Sequence, residues 1–149
     1  MSADADAPGF DVTVKHRITD EDVAYLLCSA MEGGIGYWSV IVEYVKPENP
    51  VAHMTIGGDA RVYPHVDYPL SPDGAVILCD NEEWEGDDPD PEGEKAPRHR
   101  LDRAAIARGL QVMAEKYPKH FQDFLDENGD ACTGDVFVQC CIFGEIVYG

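Results

Sequence analysis

A glycine-rich segment that ends in two aromatic residues has the composition of a ligand-binding lip. Residues 32–38 read EGGIGYW, so three glycines precede Tyr37 and Trp38. Glycines let a ligand approach the backbone closely, and aromatic faces stack on flat rings such as a nucleotide base. The alternative is structural, because glycines often end a helix in a left-handed turn and strand aromatics fill the core. Tyr37 and Trp38 are therefore candidate ligand-binding residues, with the structural interpretation open beside them.

A basic cluster supplies the second candidate. Five of the 11 basic side chains fall between positions 95 and 108, and Arg98, Arg100 and Arg103 lie beside the predicted start of a helix. Free backbone N–H groups and the helix dipole favour anions at such a position, so a phosphate group is the expected ligand. Equally, the arginines could neutralise the eight carboxylates that precede them within residues 82–94.

Other motifs that carry chemistry are incomplete. Asp88, Asp90 and Glu92 match the first positions of a calcium loop, but His99 stands where the pattern needs a bidentate glutamate. The sequence has no CxxC, HExxH, GxSxG, P-loop or GxGxxG motif. The five cysteines are odd in number and lie mostly in apolar segments, which indicates reduced, buried thiols. We therefore predict no catalytic residue, no metal site and no cofactor, and a protein that is not an enzyme.

Charge is the strongest feature of the composition. The 149 residues include 29 acidic and 11 basic side chains, for a net charge of −18, yet 44% are apolar. That apolar content is enough for a folded core and argues against a disordered acidic tail. The net charge repels nucleic acid and anionic lipid and favours basic partners. With no long apolar run and no signal-peptide pattern, the chain is expected in the cytoplasm, away from membranes.

The N-terminal third predicts a tail, a strand and a helix. Residues 1–9 are expected to be flexible, and residues 10–15 alternate between apolar and polar side chains as a half-buried strand does. Thr19 is predicted to cap a helix whose apolar stripe reaches Met31. Gly33 and Gly34 would end that helix in a left-handed conformation.

The middle of the chain predicts a hairpin, a loop and one more strand. Residues 37–45 are rich in β-branched and aromatic side chains, and residues 51–56 are their predicted partner across a proline-containing turn. Residues 57–74 have the glycine and proline content of a loop, and residues 75–79 form a buried strand. An acidic loop is expected over residues 80–97.

The C-terminal third is predicted to be helical. One amphipathic helix starts near Leu101 with Asp102 in its first turn, and Pro118 fits the first turn of another. Thr133 is a possible cap for a final helix, although a strand remains an alternative for the last residues. Together the segments predict one α+β domain over residues 10–149, in which a mainly antiparallel sheet of about four strands packs with three to four helices.

Two stretches resemble small accessory proteins encoded by bacteriophages. One is the helix-to-strand junction at residues 27–38, LCSAMEGGIGYW. The other is the C-terminal region, which includes EKYPKHF, GDVF and FGEIVYG, whereas the acidic loop at 82–94 lies outside the likeness. The resemblance implies a phage accessory protein that antagonises host defence in the host cytoplasm. The chain is also similar to the sponge proteins that sequester nucleotide signals of the Thoeris immune system, but no ligand-binding residue can be aligned to them.

Three functional interpretations follow. The first is sequestration of a small anionic nucleotide immune signal, with Arg98, Arg100 and Arg103 on phosphate, Tyr37 or Trp38 stacked on the base, and a homo-oligomer that completes the site. The alternative is an acidic DNA mimic of the anti-CRISPR or anti-restriction type, which occupies a basic groove of a host nuclease or DNA-binding protein. The third is adaptation to a salt-rich cytoplasm, in which acidity serves solubility and indicates no partner. The basic cluster favours sequestration, because bulk acidity does not account for it.

Overall fold

The computed structural model describes residues 7–54, 58, 60–80 and 97–149. The described residues include five α-helices, one π-helical turn and three β-strands: α1 (Asp20–Ser29), the π-helical turn (Ala30–Gly34), β1 (Ser39–Val45), α2 (Pro64–Leu70), β2 (Ala75–Asp80), β3 (Arg98–Leu101), α3 (Arg103–Lys116), α4 (Pro118–Leu125) and α5 (Ala131–Phe143). Most of the predicted acidic loop and of the predicted N-terminal tail, residues 81–96 and 1–6, lies outside the described residues. None of the described helices is long and apolar enough to cross a membrane.

The three strands form an antiparallel sheet in the order β1-β2-β3. The central strand β2 is mostly buried, and its Val76 pairs with Tyr44 on one side and with Leu101 on the other. This confirms the buried strand predicted at residues 75–79. The α+β class and the antiparallel pairing are also confirmed, but among the described residues the sheet has three strands rather than four, and the helices number five.

Two predicted strands do not form where the structure describes them. Residues 10–15 have no regular secondary structure and belong to no sheet, and Phe10 is fully exposed. Residues 51–54 are irregular and residues 55–57 lie outside the described residues, so β1 pairs with β2 instead of the predicted hairpin partner. The predicted loop at 57–74 contains α2, which begins at Pro64. A strand forms only when it pairs with another strand. The partner of β1 is β2, which is distant in sequence, so the local pattern could not identify it.

The first helix begins as predicted and ends differently. Thr19 forms a full capping box with Asp22, which confirms the predicted start of α1. The predicted left-handed end is wrong, because the chain continues into the π-helical turn and neither Gly33 nor Gly34 has a positive φ. Gly34 instead allows close packing, since a Cβ there would lie 2.4 Å from the carbonyl oxygen of Ala131 on α5.

The basic stretch begins as a strand and continues as a helix. Residues 98–101 pair with β2 and bury Leu101 completely, a strand that the local pattern did not indicate. Asp102 caps α3, because its carboxylate accepts a hydrogen bond from the Ala105 N–H at 3.0 Å. The predicted position of Asp102 inside the first turn is therefore wrong by one residue, since the helix begins at Arg103. The predicted helix start near Leu101 and the predicted role of Pro118 at the start of α4 are both confirmed.

Helix α5 is the centre of the core. Nine consecutive residues, 133–141, are buried, among them Phe137, Cys140 and Cys141. Its cap is Asp130, whose carboxylate accepts from the Thr133 N–H at 3.1 Å, so the predicted cap at Thr133 is wrong by three residues. The helix ends at Gly144 with φ 73°, a left-handed conformation that suits glycine. Residues 144–149 form no strand.

Candidate functional site

Trp38 lies in the core. Its side chain is 1% exposed, its ring stacks on Tyr148 with centroids 5.1 Å apart, and its Nε1 donates to the Asp135 carboxylate at 2.7 Å. A stacked ring with a satisfied N–H has little left to offer a ligand. The structure therefore favours the structural interpretation of Trp38.

Tyr37 lies at the surface above the same carboxylate. It is 55% exposed, and its hydroxyl donates to Asp135 at 2.6 Å. Burial of the hydroxyl end and the hydrogen bond to negatively charged Asp135 raise the pKa of Tyr37 to about 12. Its ring remains accessible to a ligand, whereas its hydroxyl is bound to the protein.

Two of the three candidate arginines share a small cavity. Arg100 and Arg103 line a space of about 220 Å³ together with Asp73 and Asp102. Ligand pockets usually enclose about 300–1,000 Å³, so this space suits a small anion better than a whole nucleotide. Neither Tyr37 nor Trp38 lines the cavity, and Arg98 is not among its lining residues either.

Both cavity arginines already hold carboxylates. Arg103 donates to the two oxygens of Asp20 at 3.0 and 3.2 Å and to the Leu70 carbonyl at 2.7 Å. The Nε of Arg100 donates to Asp102 at 2.9 Å. Partial burial of Asp102 opposes its ionisation, but the Ala105 N–H and Arg100 outweigh it and hold its pKa below the usual range. A phosphate would therefore compete with the protein's own carboxylates for these guanidinium groups.

Arg98 occupies a different part of the sheet. It lies half-buried on β3, opposite Cys79 of β2. Cys79 also pairs with Val40 on β1, close in sequence to Tyr37 and Trp38. The five sequence-predicted site residues thus fall into two groups, with Arg100 and Arg103 at the start of α3 and the other three toward the opposite end of the sheet.

A second cavity separates α1 from the turn between α4 and α5, and we call it the acidic groove. It has a volume of about 220 Å³ and is lined by Asp22, Tyr25, Leu26, Ser29, Phe124, Glu127 and Gly129. None of these lining residues is basic. Tyr25 is 48% exposed and Phe124 is partly buried, so two aromatic residues line the same cavity as the two acidic residues Asp22 and Glu127. Such a site fits a cationic side chain with an apolar stem.

Glu127 has an uncommon backbone conformation for a residue with a side chain. Its φ is 60°, in the left-handed region, just after the end of α4. Glycine is the usual residue at this position of a helix end. For a residue with a Cβ, the left-handed conformation costs about 1–2 kcal/mol. Keeping a carboxylate there at that cost is consistent with a role outside folding. Asp73, at the arginine cavity, shows the same feature with φ 68°, although aspartate tolerates it better.

The acidic groove was missed from sequence because its walls come from distant segments. The cluster DENGD at residues 126–130 is visible as an acidic turn, and Tyr25 is visible on the polar side of α1. Nothing local indicates that these two features face each other across a cavity. Only the tertiary structure places α1 across the cavity from the end of α4.

Cysteine, glutamate and histidine side chains meet where α1, the π-helical turn and α2 pack. The Cys28 thiol donates to Glu32 at 2.7 Å, and His65 Nε2 lies 3.8 Å from Glu32. One ligand atom from each residue lies within 4.8 Å of the other two. This is the one group among the described residues whose composition and spacing could hold a metal ion. The prediction of no metal site rested on sequence motifs alone, and this group belongs to no motif.

Three of the cysteines, Cys28, Cys140 and Cys141, do not resemble activated nucleophiles. Burial raises the pKa of Cys140 to about 11 and that of Cys141 well above its usual value. Burial, followed by the nearby Glu32 carboxylate, raises the pKa of Cys28 to about 12. A thiol with a raised pKa is a poor nucleophile near neutrality.

Comparison of the chain with protein-family models, with curated proteins and with solved structures finds no match.

Proposed function

We propose that this protein works by binding, without catalysis, and that its partner is a basic surface of another protein. The acidic groove carries the proposal, because aromatic and acidic residues from α1 and from the α4–α5 region line one cavity. In the setting that the phage resemblance implies, the partner is a basic groove of a host nuclease or DNA-binding protein. The protein then acts as an acidic inhibitor of host defence.

The charge distribution supports a cationic partner. Asp22 and Glu127 line the groove, and Asp126 and Asp130 lie next to it in sequence and are exposed. The net charge of −18 adds long-range attraction, which speeds encounter with a basic surface. Tyr25 supplies the apolar contact that exposed ion pairs lack, since such pairs alone contribute about 0–1 kcal/mol. The groove would thus take a lysine or arginine side chain as an anchor.

Two substitutions that change the net charge by the same amount test the groove. We expect Glu127→Lys to weaken capture of a basic host protein by at least tenfold, because it places a cation where the partner's cation binds. Glu48→Lys makes the same change in net charge at an exposed turn away from the groove and should leave capture nearly unchanged. Tagged wild type and both variants are compared by affinity capture from host lysate, with the identified partner titrated at several salt concentrations. Equal loss in both variants would show that bulk charge acts and the groove does not.

Glu127→Gly separates function from stability. Glycine relieves the left-handed strain, so we expect the free energy of unfolding to rise by up to about 1 kcal/mol. Partner binding should weaken in the same variant, because the carboxylate is gone. A variant that is less stable and binds as well as wild type would contradict both parts of the argument.

Sequestration of an anionic nucleotide is the second candidate, favoured by the shared position of Arg100 and Arg103 at the start of α3. The cavity is small, so a nucleotide would need surface beyond it, which a second copy of the chain could supply. Native mass spectrometry after incubation with nucleotide extract from cells with active signalling defences reports subunit number and bound mass together. An oligomer that gains a nucleotide mass, and loses it in the Arg100→Ala, Arg103→Ala double variant, would favour sequestration over the acidic inhibitor.

A further inference from the structure

The group formed by Cys28, Glu32 and His65 has the donors of a zinc site. Cys28 and Glu32 are four residues apart, a spacing that places both side chains on one side of a helix. His65 is the second residue of α2, which packs against α1. Thiolate, imidazole and carboxylate are the three ligand types that Zn²⁺ takes in proteins. Three such ligands, one each from α1, the π-helical turn and α2, therefore lie close together.

The distances between the donor atoms suit a metal ion in the middle. With zinc–ligand bonds of about 2.0–2.3 Å, tetrahedral geometry places neighbouring ligand atoms roughly 3.3–3.6 Å apart. The observed separations are 2.7 Å from Cys28 Sγ to Glu32 and 3.8 Å from His65 Nε2 to Glu32, and all three atoms lie within 4.8 Å. Small side-chain rotations bridge the difference.

His65 provides an independent observation at the same place. Its Nε2 is buried from solvent, yet it makes no hydrogen bond to any residue that the structure describes. Buried polar atoms nearly always have a partner, and an orphaned one calls for an explanation such as an ion. The orphaned nitrogen is the atom that would coordinate the metal.

The π-helical turn contributes Glu32, the third residue of the group. Helix α1 changes to π-helical hydrogen bonding at Ala30, and Glu32 lies within that turn. Single π-helical turns within helices occur frequently at functional sites. The Glu32 side chain is 63% exposed, whereas that of His65 is 22% exposed, so the group opens toward solvent on the glutamate side. An ion can enter from that side.

We propose that Cys28, Glu32 and His65 bind one Zn²⁺ ion, with the fourth tetrahedral position left to water or to a ligand atom. Binding transfers the thiol proton of Cys28 to solvent and forms the sulfur–zinc bond, so one proton is released from this residue per ion. The positive ion offsets the negative charge of Glu32 beside the sulfur. The site joins the end of α1 to α2 and does not depend on the acidic groove.

Cobalt provides a direct probe of the proposal, because Co²⁺ bound to thiolate gives a sulfur-to-metal charge-transfer absorption. We expect chelator-treated protein to take up one equivalent of Co²⁺ with this absorption and to lose it on addition of Zn²⁺. Mg²⁺ and Ca²⁺ should not displace it, since both prefer oxygen ligands. This comparison also separates the site from general attraction of cations to a protein of charge −18.

Single substitutions identify the ligands. Cys28→Ser should abolish the charge-transfer absorption, and His65→Gln and Glu32→Gln should each weaken cobalt binding by at least about tenfold, the scale of losses at metal sites. Cys132→Ser is the matched control, because Cys132 is the exposed cysteine and should contribute nothing. Circular dichroism without metal checks that each variant folds, and His65→Gln tests the site without altering a cysteine if Cys28→Ser does not fold.

The proposal is overturned if wild type shows no charge-transfer absorption, or if Cys28→Ser keeps it. It is equally overturned if Cys132→Ser loses it while Cys28→Ser does not. Glu127→Lys should bind cobalt as wild type does, so failure of the metal site and failure of the proposed function are distinguishable.

Discussion

The two ends of the described chain each contain three large apolar side chains, but only the C-terminal end packs on the core. The N-terminal arm, residues 10–15, alternates apolar and polar residues, and its Phe10, Val12 and Val14 are 100%, 83% and 67% exposed. The C-terminal tail, residues 144–149, has a comparable apolar run and is docked on the core through Tyr148. Neither segment joins the sheet.

The C-terminal tail packs on the core because side chains of the core form hydrogen bonds with its backbone. Gln139 is fully buried and accepts from the N–H groups of Val147 and Tyr148 at 2.7 and 2.8 Å, while its own amide donates to the Tyr148 carbonyl at 3.1 Å. The Tyr117 hydroxyl accepts from the Ile146 N–H, and the Tyr148 hydroxyl donates to Asp80. The tail therefore pairs the N–H groups of residues 146–148 and the Tyr148 carbonyl without a partner strand. An apolar pattern docks a segment only where its polar backbone groups are also paired.

The largest expected effect comes from removing the residue that holds the tail. Gln139→Leu keeps the volume roughly constant but leaves two backbone N–H groups, one backbone carbonyl and one oxygen of Asp135 without their Gln139 partner. Each unsatisfied buried group costs about 1–3 kcal/mol, and the tail can recover part of this by moving into water, so we expect a loss of about 2–4 kcal/mol in urea unfolding. Carboxypeptidase should then digest the tail faster. Gln111→Leu, which removes only a surface hydrogen bond to Glu115, should change stability little. Equal effects would refute the role of Gln139.

A smaller and pH-dependent effect is expected at Tyr37. The pKa of Tyr37 is raised from its ordinary value of 10.0 to about 12 in the folded protein. The neutral hydroxyl therefore contributes its full stabilisation below about pH 10. That contribution is lost as the pH rises from about 10 through 12. Tyr37→Phe should cost at most about 1 kcal/mol at neutral pH, since one hydrogen bond is removed. The difference in stability between wild type and variant should shrink over that alkaline range. A difference that is constant with pH would contradict the assignment.

The smallest effect is expected in the N-terminal arm. Phe10 and Val12 contact little of the protein, so replacing both by serine should change the free energy of unfolding by less than about 0.5 kcal/mol. Chemical denaturation at low protein concentration measures this, and analytical ultracentrifugation of the same samples reports any change in self-association. A loss of 2 kcal/mol or more, on the order of burying one such side chain, would mean that the arm is covered in solution and that the comparison of the two ends fails.

Some residues of the candidate sites could be placed from the sequence and others could not. Arg100 and Arg103 could be placed together because both lie near one predicted helix start, and the structure gives them one cavity. Trp38 could not be placed, because an aromatic residue at the start of a strand is compatible with either the core or the surface. Its position depends on Tyr148 and Asp135, each about 100 residues away in sequence. The meeting of Cys28 with His65 required the docking of α2, a helix that the glycine and proline content of its segment concealed.

By itself the sequence determined the features that a few neighbouring residues control. The capping box at Thr19, the start of α3 near Leu101, the proline start of α4 and the apolar strand β2 follow from local hydrogen bonding and local hydropathy, which act over one or two turns. Only the tertiary structure decided which strands pair, which aromatic residues are buried, and which acidic side chains and proposed metal ligands face one another. These depend on contacts between distant segments, where pairing and burial free energies exceed the local preferences that a sequence pattern expresses.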